Sequence, residues 1–429
     1  MWRGLAGSIL GAFLAIPLDV VFYCLWVALL KRIILHRTPP GTHSVYSLFY
    51  LRKWLADTLM RISRQTLHAL YTTIYLPPWL RLLGARIGKR AEISTVSQVT
   101  PDLVDIGDES FFADGSLIGG RHFYRGHVHC DINRIGRRSF VGNNAILPIG
   151  RHMGDQCLLG VLSTPPAEHR TTPHGTDWLG SPAFQLPHRQ KVGGFDESVT
   201  FKPTPKLYAQ RLLIDGLRIL LPAWLAGLGG LLFYLYCWYA YDQLTWPVIL
   251  IWSPLVGLLI AVAIATAVVG LKCLIMGRME PVIKPLWSTY VWWNEAVNGL
   301  HETIAVPLLS PLVGTPYLAW YLRGLGCKIG KHCFLGTTLF SEFDLVDVGD
   351  YVALNEGVVL QNHLFEDRIM KSSYVQIVDN CSVGNMAIVL YDTKVQAETC
   401  IAPLSLLMKG ETLPRGTQWY GIPTRLKQG

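Results

Sequence analysis

The sequence predicts a mixed membrane protein with two left-handed parallel β-helix domains, amphipathic helices ahead of each, and three transmembrane helices. Three observations lead there. The second half of the chain repeats the first at a nearly fixed offset, a six-residue pattern recurs inside each copy, and three stretches are long and apolar enough to cross a bilayer.

The duplication is the firmest of these. Gly84-Ala85-Arg86-Ile87-Gly88-Lys89 matches Gly326-Cys327-Lys328-Ile329-Gly330-Lys331, 242 residues on. At the same offset Asp102-Leu103-Val104-Asp105-Ile106-Gly107-Asp108 matches Asp344-Leu345-Val346-Asp347-Val348-Gly349-Asp350, and Leu162-Ser163 matches Leu404-Ser405. Trp178-Leu179-Gly180-Ser181-Pro182 answers Trp419-Tyr420-Gly421-Ile422-Pro423, where the offset has slipped by one residue.

Inside each copy, hexads begin with an aliphatic residue and Gly: Ile87-Gly88, Ile106-Gly107, Ile135-Gly136, then Ile329-Gly330, Val348-Gly349, Val383-Gly384. Such a hexad is one short strand and a corner, and three hexads make one triangular coil with the aliphatic side chain inside. Gly is expected to supply the backbone freedom of the corners. Interruptions near residues 111–133 and 365–376 predict loops extruded from the coil. The stretches Tyr46–Leu83 and Trp287–Leu325 alternate apolar and basic residues at helical spacing, as amphipathic helices on a membrane surface or on the coil do.

Half the residues are apolar and 16% are charged, too apolar a balance for an ordinary soluble domain. The apolar stretches are 5–30, 219–240 and 247–271. Lys31, Arg32, Lys206, Arg211, Arg218, Lys272 and Arg278 flank them, a placement that orients both large polar segments to the cytoplasm and accounts for most of the net charge of +8 as lipid-facing. Without long basic runs or a binding motif, no nucleic-acid partner is expected. The nine cysteines form no CxxC pair, and His127 with His129 lacks further ligands, so neither a disulfide framework nor a metal site is indicated. The domains are then 1–38, an anchor; 39–200, the first β-helix; 201–279, a transmembrane hairpin; and 280–429, the second β-helix. The location is the cell (inner) membrane, with lipid as one partner.

A coil offers no reactive groups of its own, so chemistry must come from loops and edges. His363 falls where the second coil breaks, and a His there suits a general base because its ordinary pKa lies near working pH. Asn362 and Asp367 are placed to orient its ring or to grip the substrate amine. His122, one residue out of register with His363, is the weaker candidate of the first copy, and neither His is expected to matter for folding. Arg368, Asn385 and the coil closures with Trp178, Gly180, Trp419 and Gly421 are candidate substrate-binding positions.

Three stretches carry a resemblance to a known family: residues 361–371, residues 404–411, and Trp178–Pro182 with Leu186-Pro187-His188-Arg189. They resemble the membrane-bound C-terminal region of poly-lysine-synthetase-like nonribosomal peptide synthetases. The resemblance implies tandem hexapeptide-repeat, acetyltransferase-like domains that form amide bonds from amino acids held as thioesters. It implies no covalently bound cofactor, and a donor thioester on a phosphopantetheine carrier or on CoA. The chain has no adenylation or carrier domain, so the resemblance also implies an adenylation–carrier protein as partner. Tandem copies suggest pseudo-trimeric packing. Rival readings are an acyl-CoA-dependent O- or N-acyltransferase, and a non-catalytic scaffold for a carrier protein.

The charge flanks make a direct prediction. Reporter fusions after Gln190 and after Gly429 both give cytoplasmic signals; an external signal from either overturns the orientation.

Overall fold

The computed structural model describes residues 2–187 and 193–427, which fall into two compact units dividing between Asp215 and Gly216. His188 and Arg189 of the quoted motif, and both fusion points, lie outside the described residues. Among the described residues three helices are long and apolar enough to cross a membrane. They belong to α1 (Trp2–Ile34), and, after α2 (Leu48–Thr66) and α3 (Leu76–Leu82), to α4 (Pro205–Gln243) and α5 (Trp246–Ile275). At 1.5 Å per residue α4 runs roughly 58 Å, about twice a hydrocarbon core, so its first turns serve the soluble side. Arg211 there is buried and forks onto Glu92 at 2.8 and 2.9 Å, while Asp215 accepts the Ile74 amide at 2.9 Å.

Each unit carries a three-faced solenoid of short parallel strands. In unit 2 the first face stacks 328–329, 346–348, 375–377, 393–395 and 412–413. The second stacks 334–335, 353–354, 382–383, 400–401 and 418–420, closed by antiparallel 425–426; the third stacks 359–361, 388–390 and 406–407. Uninterrupted coils advance 18 residues, as Ser382 opposite Cys400 shows, which is three hexads. The hexad aliphatics fill the interior: Val348, Leu354, Val383, Val395, Ile401 and Leu413 are all buried. Unit 1 repeats the arrangement with faces led by 86–87, 92–93 and 117–118.

The hexad glycines act differently from the expectation. Gly330 and Gly384 are not at positive φ; a Cβ on them would come within 2.5 and 2.4 Å of backbone atoms in the next coil. The hexad Gly is needed for close approach between coils, while the left-handed positions are shared between other glycines, Gly357 (φ 69°), Gly410 (φ 77°) and Gly416 (φ 70°), and His332 (φ 56°), Asn380 (φ 60°), Glu398 (φ 62°) and Leu404 (φ 55°).

Both interruptions are β-hairpins. In unit 2, 363–366 pairs with 369–372, which pairs with 282–285 from just beyond α5; in unit 1, 122–124, 127–130 and 41–44 do the same. Asp367-Arg368 (φ 48° and 64°) and Arg125-Gly126 (φ 46° and 72°) form the two-residue turns, whose positive φ values match strand twist. On α2 the buried face is Lys53, Ala56, Met60 and Ser63, while Leu48, Leu51, Leu55 and Ile62 stay exposed, so the helix packs on its unit and still offers an apolar face outward. The corresponding helix α6 (Thr289–Leu300) runs into a π-turn at His301–Ala305. An inserted residue there accounts for an offset of 241 between the caps Ser47 and Ser288 but 242 further on.

Four of the basic residues expected to face lipid are buried: Arg211 and Arg218 pair with Glu92 and Glu295 at 2.8 and 2.9 Å, and two others hold the ends of apolar helices. Lys31 at the end of α1 bonds Asp102 at 2.5 Å, and Lys272 at the end of α5 bonds Asp344. Each carboxylate also accepts a backbone amide, from Thr38 at 3.2 Å and Met279 at 3.0 Å. Each pair clamps a membrane helix to the first coil. Breaking such a pair strands the other charge, at a cost of about 3–5 kcal/mol. Asp344→Ala is therefore expected to lower the detergent-phase Tm of the chain sharply, and the double change Asp344→Leu with Lys272→Met much less. Equal losses for the two variants contradict a clamp.

Candidate functional site

The candidate site of unit 2 is assembled by α6, the turn ahead of the second coil, and the hairpin. Glu342, at φ 41°, opens the short turn Phe343–Leu345, and its carboxylate has no exposed surface. His363 begins the hairpin, and its Nδ1 lies 2.7 Å from Glu342 Oε2. On the other oxygen, Asn294 donates at 2.6 Å and Asn298 at 3.2 Å, both from α6. Phe365 meets the His363 ring edge-on at 5.7 Å between centroids. Burial by itself pushes the Glu342 carboxyl up; the adjoining His363 ring and hydrogen bonds from His363, Asn294 and Ser341 outweigh it and hold the group below the ordinary carboxylate range.

The neighbours of His363 in sequence do other work. Asn362 is fully buried and its amide donates to the carbonyls of Leu345 (2.9 Å) and Ser373 (3.4 Å), because alternate residues of a strand face opposite sides. It is the structural partner of the hairpin's exit, and the ring is oriented by Glu342. Asp367 sits in the hairpin turn at the far end of the four-residue strand, roughly 13 Å along it from His363, out of reach of the ring. Arg368, 1% exposed, presents no surface to a substrate. Asn385 is exposed at a corner of the third coil.

Trp419 donates its indole N–H to Thr417 at 2.8 Å and lines, with Gln418, Tyr420, Arg425 and Lys427, a cavity of about 850 Å³ beside Gly421. Trp178 makes the equivalent bond to Thr176 at 2.9 Å, ahead of Gly180. Trp419 lies three coils beyond the one that emits the hairpin, roughly 14 Å along the axis, so unit 2 does not bring it to His363.

Unit 1 keeps the frame and loses the pair. Hairpin register puts Arg121 where unit 2 has His363, since Leu364 opposite Lys371 answers His122 opposite His129. Thr100 replaces Glu342, and Lys53 and Asp57 replace Asn294 and Asn298. Contacts bear the equivalence out: Lys53 bonds Thr100 at 3.1 Å and Asp57 at 2.7 Å, and Arg121 pairs with Asp57 at 3.1 Å. His122 is exposed on the hairpin, and no carboxylate is paired with it. Among the described residues no cluster of three His, Cys, Asp or Glu is placed to hold a metal ion.

Sequence reasoning found His363 but missed Glu342, Asn294 and Asn298. The signal was present in the duplication, because Thr100 against Glu342 and Arg121 against His363 change charge together inside otherwise matching stretches.

A solenoid of six-residue steps, an extruded hairpin bearing a His–carboxylate pair and, among the described residues, three helices long and apolar enough to cross a membrane define a hexapeptide-repeat protein equipped to sit at a membrane. The chain is 39% identical over 414 residues, 96% of its length, to a delta-poly-L-ornithine synthetase of Acinetobacter baumannii (strain AB307-0294). The resemblance to amino-acid-polymer synthetases therefore runs over nearly the whole chain, which spans 31% of the length of that curated relative. No protein-family model matches the sequence. Among solved structures, a hexapeptide-repeat containing acetyltransferase from Vibrio cholerae is 17% identical, covering 24% of this chain and 63% of its own, with a TM-score of 0.22. A maltose O-acetyltransferase from Clostridium difficile 630 is 14% identical, covering 40% and 88%, with a TM-score of 0.24.

A carboxyl held low in the folded state stabilises fully above its unfolded-state pKa and loses that contribution as pH falls through the folded value. Glu342→Gln is therefore expected to cost about 1–3 kcal/mol near neutral pH, with the gap to the parent chain closing as pH drops below the ordinary carboxylate range. A gap that stays constant with pH contradicts the buried ion pair. His363→Ala is not structurally silent either, because it leaves Glu342 buried with only amide and hydroxyl donors.

Proposed function

We propose that unit 2 is an aminoacyl transferase active site that forms amide bonds from thioester-activated amino acids. The observation that carries this reading is the 2.7 Å bond between His363 and the buried Glu342, which unit 1 lacks. With Nδ1 held by Glu342, Nε2 is the working nitrogen of the ring. As the acceptor amine attacks the thioester carbonyl, a C–N bond forms and the amine proton passes to His363 Nε2. The C–S bond then breaks and the thiolate leaves with that proton. Glu342 steadies the imidazolium between the two transfers and fixes the tautomer, as a carboxylate behind a catalytic His does.

The acceptor class follows from charge. The helical stretch 301–309 beside this site carries Glu302 and no Lys or Arg. That exposed negative charge suits a cationic diamino acid, and the relative is named for ornithine. The chain spans about a third of that relative, so the donor is assigned to a carrier thioester presented by another polypeptide or segment. We further infer that the coils wind left-handed and that both solenoids lie at the cytoplasmic face, as the basic flanks of the spans direct.

The test uses the full chain in nanodiscs with an ornithyl N-acetylcysteamine thioester and free ornithine, reading amide product by mass spectrometry. The parent chain is expected to form dipeptide. His363→Gln, which retains a side-chain donor for Glu342, is expected to lower the rate by roughly 10² or more, while Arg121→Gln leaves it within a few-fold. Near-normal turnover in His363→Gln at normal membrane abundance favours the scaffold reading. Turnover of an acetyl-CoA donor in preference to the aminoacyl thioester favours the acyl-CoA-dependent reading.

A further inference from the structure

Unit 1 is not simply a disabled copy of unit 2. The place occupied in unit 2 by His363 and Glu342 is, in unit 1, a small cleft bounded by Asp57, Arg61, Arg64, Tyr71, Ser97, Gln98 and Arg121, with a volume of about 90 Å³. That is well below the several hundred Å³ of a pocket for a drug-sized ligand. Asp57 carries the only carboxylate among the lining residues, and it is already shared by Lys53 at 2.7 Å and Arg121 at 3.1 Å. Three guanidiniums and one ammonium thus meet a single negative charge, a surplus of three positive charges around a space of a few heavy atoms.

We propose that this cleft is an anion site that binds a phosphate group. Guanidiniums present planar N–H forks that match phosphate oxygens, and two of them, Arg61 and Arg64, stand one turn apart on the same helix. The Tyr71 phenol, close enough to feel the Arg64 charge, remains protonated and adds a neutral donor. Ser97 and Gln98 also line the cleft. The equivalent stretch of unit 2, 301–309, holds no Lys or Arg, and its His301 is buried with its pKa pushed down to about 4, so it offers no matching set of cations.

The source of the phosphate is a lipid headgroup or a soluble phosphate ester. The cleft lies beside α1: Thr66, two residues beyond Arg64, hydrogen-bonds Tyr23 of α1 at 2.9 Å, and Leu51, Leu55 and Ile62 of α2 are exposed apolar side chains. An anionic lipid reaching this cleft would be held against the same helix that spans the bilayer.

Both sources are tested on the full chain. In uncharged phosphatidylcholine nanodiscs, binding of radiolabelled inorganic phosphate is measured by equilibrium dialysis at low ionic strength. In nanodiscs containing one-tenth phosphatidic acid, lipid retained by the chain is measured by native mass spectrometry. The expected result is saturable binding of one anion in at least one arm, weakened ten-fold or more by Arg61→Gln with Arg64→Gln and unchanged by Arg86→Gln, an exposed arginine elsewhere on the unit. Arg61 and Arg64 lie outside the Asp57 ion pairs, so the double variant is expected to keep the parent Tm, and the single variant Arg61→Gln gives a second reading if it does not. Binding in the phosphate arm assigns a soluble ester; binding in the lipid arm alone assigns a headgroup. No binding in either arm, or binding indifferent to both variants, overturns the proposal.

Discussion

The candidate site of unit 2 depends on keeping carboxylates out of water. Glu342 and Asp344 stand two residues apart on one short turn, and a desolvated carboxylate must find a counter-charge and donors or be neutralised. Asp344 finds Lys272 and the Met279 amide, which fastens the end of the membrane helix to the first coil. Glu342 finds His363, Asn294 and Asn298, which brings the hairpin and α6 to the same point. One turn therefore sets where the membrane anchor, the surface helix and the extruded hairpin meet, and the His ring takes its orientation from that junction.

Unit 1 separates the two roles. Its Asp102 keeps Lys31 and the Thr38 amide, so the anchor is the same. Its Thr100 needs no counter-charge, and the positions around it become Lys53, Asp57 and Arg121, a closed ion-pair set in place of an acid–base pair. The same frame thus presents an acidic environment in one copy and a basic one in the other. The two copies differ at four equivalent positions in charge rather than in fold, and the proposed roles of the two units rest on that difference.

Much of this was legible in the sequence because it is periodic. The offset of 242, the hexads and the apolar stretches are patterns, and the solenoids and long helices followed them. The site was legible only in part. His363 announced itself by standing where the hexads stop, but proximity in sequence then misled: Asn362 points the other way along the strand, and Asp367 belongs to the hairpin turn. Glu342 lies 21 residues before His363 and Asn294 lies 69 before it, so their convergence depends on how α6 packs on the coil, which no local pattern records. Lys31 and Lys272 were misread for a similar reason, since a basic residue at a span's end looks the same whether lipid or a buried Asp receives it.

The central claim is that His363 and Glu342 act as one unit. A double-mutant cycle on aminoacyl-transfer rate tests it most directly, using His363→Gln, Glu342→Gln and the pair together. If the carboxylate acts through the ring, the double variant is no slower than His363→Gln alone, because nothing remains for Glu342 to orient. Rate losses that simply multiply across the two sites contradict the account.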